Sequence, residues 1–154
     1  MKIRLFAVIV AVCLSFATLS ACDIGLKNKD YSGKITDESY FTFTLDSTKE
    51  AYIVSVAEDT ELPAELNLPT WYQGKPVATV GNFSNSATIE KVSIPTSYKL
   101  ILASAFSNCT LLSKVTGMAN VEKIGNNAFE GCAKLRDFEF GDGLKTIGKF
   151  AFAG

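Results

Sequence analysis

From residue 83 onward the apolar positions of this chain keep a fixed beat, with Phe83, Phe106, Phe129 and Phe152 falling at every twenty-third position. Other columns keep the same phase. Ile89 steps to Leu112 and Leu135, Val92 to Val115 and Phe138, and Ile101 to Ile124 and Ile147. A side chain that returns once per turn lies on its own copies in the neighbouring turns, so each column predicts a hydrophobic ladder that no single turn can bury alone. The spacing of Ile89, Val92 and Ile94 predicts a strand of three or four residues, ended by Pro95 in one turn and by Gly141-Asp142-Gly143 in another, because Pro lacks a donor and Gly permits positive φ. The return segment carries Tyr98, Val121 and Leu144, then the isoleucine column, then an Ala-Phe pair. Residues 126–131 and their equivalents read as a short helical turn. The fold class expected is α/β: short parallel strands and short helical turns wound as a solenoid with a 23-residue period.

Upstream, Phe41 to Leu45 and Tyr52 to Val56 are β-rich runs joined by Asp46-Ser47-Thr48-Lys49-Glu50, the pattern of a hairpin. The first turn of any stack leaves an apolar face in water, so this hairpin is expected to cap it. The first unit is also irregular: the span from Pro69 to Phe83 is longer than the corresponding span from Pro95 to Phe106. At the other end, the unit that begins at Ala133 stops at Gly154, one residue short of its cysteine position. The expectation there is either a shortened gene product or an edge, with Ile147 and Phe152, that contacts another chain.

The run Ile124-Gly125-Asn126-Asn127-Ala128-Phe129-Glu130-Gly131-Cys132, with Ile94-Pro95 and Leu135, resembles the BspA-like leucine-rich repeats of bacterial surface proteins. The resemblance covers about residues 64–154, and Leu68 to Val77 looks like the lead-in to a first repeat. Gly117 in place of an apolar strand residue and Ser86 in the cysteine column are departures. The resemblance implies a leucine-rich-repeat solenoid and, in some relatives, adhesion.

Lys2 and Arg4, an apolar run from Leu5 to about Ala17 and small residues after it have the layout of a secretory signal peptide. Leu19-Ser20-Ala21-Cys22 resembles a bacterial lipobox, in which Cys22 is lipidated and begins the mature chain. Two acyl chains hold a protein on a membrane where one is marginal. The expected organisation is therefore a signal peptide over 1–21, a polar tether over 22–39, a hairpin cap over 40–63 and repeats over 64–154. The expected location is the outer face of the bacterial cytoplasmic membrane or the cell surface.

Removing Lys2 and Arg4 leaves 13 basic against 16 acidic residues, a net of about −3, which argues against a nucleic-acid partner. The chain has no histidine, so Ser-His and Cys-His nucleophile pairs are excluded and an enzyme is not expected. No cofactor is expected, and no metal, since Cys109 and Cys132 have no second ligand pair. Those two cysteines share one column. Their parallel Cβ directions disfavour the disulfide torsion, so they read as buried thiols.

The surface with a structural reason to bind is the open strand face, whose outward rows are Lys91 and Ser93, Lys114 and Thr116, then Asp137 and Glu139. Rows that change from basic to acidic suit a protein or glycan epitope. The same rows also read as an ordinary solvated face, because three short rows offer little area against the roughly 800 Å² per partner of a standard interface.

Overall fold

The computed structural model describes residues 36–154. The residues read from the sequence as a signal peptide and lipobox, Cys22 included, lie outside the described residues. Among the described residues the strands are β1 (Phe41–Leu45), β2 (Tyr52–Val56), β3 (Glu65–Asn67), β4 (Trp71–Tyr72), β5 (Lys75–Val80), β6 (Lys91–Ser93), β7 (Leu100–Ile101), β8 (Lys114–Thr116), β9 (Lys123–Ile124), β10 (Asp137–Phe138) and β11 (Thr146–Ile147). They form two sheets. A front sheet runs β3-β6-β8-β10, all parallel, and a back sheet runs β1-β2-β5-β7-β9-β11, with β4 folded antiparallel onto β5.

The winding follows from the columns. Val92 pairs with Val115 and Val115 with Phe138 in the front sheet, while Ile101 pairs with Ile124 and Ile124 with Ile147 in the back sheet. The phenylalanine ladder stacks as near-parallel, offset rings, with centroids 5.5, 5.4 and 5.2 Å apart from Phe83 through Phe152. Phe83, Phe106, Ile89, Leu112, Ile101 and Ile124 are fully enclosed, and Phe129 and Leu135 are buried. This shared burial stabilises turns whose two- and three-residue strands could not persist alone.

Two features differ from the sequence-based picture. The return segment contributes a second sheet, not just a connection. The expected helical turns are hydrogen-bonded turns instead, and among the described residues the only helical pieces are 3₁₀ turns at Glu38–Tyr40 and Met118–Asn120. Backbone donors explain why. Ser107 and Cys109 bond back three residues to Ser104 and Phe106, but the intervening Phe106 and Asn108 donate sideways to Ala128 and Glu130 of the next turn, each at 2.7 Å. Positive φ at Ser104, Asn127 and Phe150, and again at Asn108 and Gly131, breaks any helical run.

The hairpin cap forms as the alternation predicts: β1 and β2 pair antiparallel from Phe41↔Val56 to Leu45↔Tyr52. Phe41 is buried and meets Phe83 edge-on at 6.2 Å, which closes the first end of the ladder. Thr36 is buried as well, its hydroxyl accepting from the Asn67 N–H at 2.9 Å. The irregular first unit has a plain geometric cause. The β4–β5 hairpin turns through Gln73 and Gly74, both at positive φ. It makes the sequence step from Leu66 to its neighbour Val92 longer than the regular repeat, while the step from Val80 to Ile101 is shorter.

Candidate binding face

In β6 the side chain of Val92 points into the core while Lys91 and Ser93 point outward, and β8 repeats this with Val115 between Lys114 and Thr116. The parallel register sets Lys91 beside Lys114, Lys114 beside Asp137, and Ser93 beside Thr116. Five of the outward residues are thus set side by side by the register, with Glu139 exposed beyond the end of β10.

The structure adds a fourth member to the charged row. Glu65 of β3 pairs with Lys91 in register, and its carboxylate accepts from Lys91 Nζ at 2.7 Å. Lys114 Nζ donates to Asp137 at 2.6 Å. The row thus runs acid, base, base, acid, in place of a basic-to-acidic gradient. Both pairs are solvent-exposed. The hydrogen bond and charge of Lys91 hold the Glu65 carboxyl below its usual range, and Glu65 raises Lys91 in return. Two adjacent ammonium groups remain at the centre, each with donors to spare. Glu65 escapes the repeat count because the β4–β5 hairpin lengthens the step from it to Lys91.

A second ladder lies where the back sheet begins. Glu122 sits between Lys145 at 2.6 Å and Lys99 at 3.6 Å, and its carboxyl is held low chiefly by the Lys145 hydrogen bond. With Asn120, Asp142 and Phe140 it lines an open depression. This charge balance appears in no single-strand reading of the sequence.

Trp71 and Tyr72 divide their roles. Tyr72 stacks on Phe43 at 3.8 Å and packs edge-on to Tyr52, covering the cap, whereas Trp71 is 44% exposed. Cys109 and Cys132 are buried thiols whose sulfurs donate to the carbonyls of Phe83 and Phe106 at 3.2 and 3.1 Å. Burial pushes both thiols up, Cys132 to about 12 with the neighbouring Cys109 adding to the effect. Among the described residues no group of three or more Cys, Asp or Glu side chains is placed to hold a metal ion.

At the last described turn, Phe152 stacks on Phe129 and on Phe138, both at 5.2 Å, and Phe140 meets it edge-on. Ile147 is 49% exposed and Phe150 68%. Phe150 also holds φ 57, a conformation that a bulky residue rarely adopts.

The two in-register sheets wound on one repeat have counterparts among known proteins. Residues 79–154 match the BspA type leucine rich repeat region (6 copies). The leucine-rich repeat solenoid is similar to three solved structures. A T. pallidum leucine rich repeat protein is 22% identical with a TM-score of 0.58, over 78% of this chain and 67% of that one. A leucine rich cell surface protein from Faecalibacterium prausnitzii A2-165 is 26% identical at a TM-score of 0.60, and a leucine-rich repeat protein from Bacteroides ovatus ATCC 8483 is 26% identical at 0.66, each over 80% of this chain. The chain spans 35% and 33% of those last two structures, about a third of their length. No curated protein matches the chain.

Proposed function

We propose that this leucine-rich repeat protein is exported, held at the bacterial surface by lipid on Cys22, and binds a protein or glycan through the outer rows of its front sheet. It acts by recognition, not by catalysis. The observation that carries the reading is the in-register row Glu65, Lys91, Lys114, Asp137, with Ser93, Thr116 and Glu139 alongside. Such a row presents charges at the strand spacing of about 4.8 Å, with the two lysines on strands that have a neighbour on each side. The similarity to a cell surface protein supports the location.

The anchor is tested by fractionating cells that express the native chain and Cys22→Ala. Acylated protein in the membrane fraction, with the variant released, is expected; membrane retention of an unacylated variant contradicts the anchor. The face is tested by binding to immobilised extracellular proteins and oligosaccharides before and after reversal of Lys91 and Lys114. A second reading, assembly with another chain, is favoured by the exposed Ile147 and Phe150. Under it, Phe150→Ser lowers apolar-dye binding and any self-association together.

A further inference from the structure

We infer that the free edge of β1 pairs with the same edge of a second copy, giving a symmetric antiparallel dimer whose back sheet continues from one chain into the other. Among the described residues β1 has one neighbour, β2, and forms the end of the back sheet. Its outward groups follow from the hairpin's hydrogen bonds. Tyr40 accepts from the Ala57 N–H and Asp46 donates to Ala51, both at 2.9 Å. With the register from Phe41↔Val56 to Leu45↔Tyr52, residues 42 and 44 therefore turn their backbone groups toward β2. Phe41, Phe43 and Leu45 turn theirs away. The Phe41 N–H is taken by the Glu38 carbonyl. What remains along the edge is the Phe41 carbonyl and both groups of Phe43 and of Leu45.

This edge carries none of the usual guards. Phe41-Thr42-Phe43-Thr44-Leu45 has no charge and no proline, and its pairing with β2 runs without a bulge. The register shift in this region lies on the other side of β2, between Tyr52 and Ile53.

The segment also selects its occupant. Laid antiparallel on itself about Phe43, it sets Phe43 opposite Phe43, Phe41 opposite Leu45, and Thr42 opposite Thr44. The two Phe43 residues exchange both of their bonds across the axis, and each Leu45 N–H meets the Phe41 carbonyl of the other copy. The Phe41 N–H is already taken by Glu38, so the Leu45 carbonyl of the other copy gains no bond from this edge and stays toward solvent at the end of the ladder. Leu45, 39% exposed, comes beside the buried Phe41, and the exposed threonines meet as cross-strand pairs. No charge faces a charge. An unrelated extended peptide would find the same backbone groups but no side chains in matching order.

A five-residue edge buries far less than the roughly 800 Å² per partner of a standard interface, so the contact is weak in dilute solution. It becomes populated where copies are concentrated on one surface, a step that rests on the proposed anchor. The test does not depend on that anchor, because oxidation of a concentrated solution traps covalently a contact that forms only briefly. Thr42 and the Thr44 of the second copy form a non-hydrogen-bonded pair with Cα atoms about 4.5 Å apart, within reach of a disulfide. Full-length Thr42→Cys and Thr44→Cys chains are oxidised each alone and as a mixture. Crosslinked dimer in the mixture, and none from either variant alone, is the expected result; the single variants also control for the native cysteines. Adding Leu45→Pro, which removes only an outward N–H, or Leu45→Lys should abolish the crosslink while the melting temperature stays within about 2 °C. No crosslink in the mixture, equal crosslinking in every sample, or a crosslink that survives both Leu45 variants overturns the dimer. The front-sheet reading is untouched by any of these results, since it concerns Lys91 and Lys114.

Discussion

Gly117 lies so near the carbonyl oxygen of Ile94 that a Cβ at position 117 would be 1.9 Å from it. The residue also sits at φ 83, where it opens the 3₁₀ turn at Met118–Asn120. The apparent lapse in the strand column is thus the point where one turn drops onto the next. Gly117→Ala must displace backbone and is expected to cost about 2 kcal/mol or more, roughly 8 °C in melting temperature. Gly74→Ala is the control: φ is 78, yet nothing lies within 4 Å, so about 1 kcal/mol is expected from the left-handed conformation alone. Thermal melts of the two variants check the difference.

The phenylalanine ladder should be graded along its length. Phe106 is wholly buried between Phe83 and Phe129, so Phe106→Ala is expected to cost about 3–5 kcal/mol, enough to unfold a domain of ordinary stability. Phe152 is only partly buried, and Phe152→Ala should cost less than half as much. Urea titrations give both values, and equal losses would contradict the stacking order.

The ladder, the hairpin and the front-sheet rows were legible in the sequence because each repeats with period 23 or period 2. The later back-sheet strands were not: their isoleucine column keeps the 23-residue step, but Leu100–Ile101, Lys123–Ile124 and Thr146–Ile147 are two residues long and too short to show the period-2 alternation of a strand. They exist because stacking lines them up. The helical reading of 126–131 failed for a related reason: Asn127 and Phe129 donate to Lys149 and Ala151 of the following turn, and those partners are invisible from the segment itself. Glu65 was hidden by the insertion that breaks the count.

Acid should loosen the charged ladders in a defined direction. The folded-state carboxyls of Glu65 and Glu122 are held below their ordinary value of 4.5, so their contribution is present above that pH and is lost as pH falls through the lowered value. Melting temperature should therefore drop below about pH 4.5, less steeply in Glu65→Gln/Glu122→Gln. Both groups are exposed, so the effect is small and shrinks with added salt. An unchanged pH profile in the double variant would contradict the assignment.

Burial of Cys109 and Cys132 predicts protection from thiol reagents. Desolvation raises both thiols, Cys132 to about 12, which disfavours the reactive thiolate, and both side chains are buried away from reagent. Mass spectrometry should find neither residue alkylated in the folded protein and both alkylated in urea. Rapid labelling of either in the native state would show that the ladder opens there.

The most direct test of the proposed binding face is equilibrium binding of a captured extracellular partner or oligosaccharide to the native chain, to Lys91→Glu/Lys114→Glu, and to Lys91→Arg/Lys114→Arg. The glutamate variant places four acids in one row and is expected to weaken binding at least about tenfold with an unaltered fold by circular dichroism, while the arginine variant retains binding. Binding that is equal in all three, at low and high salt, would contradict the assignment of the front sheet as the recognition surface.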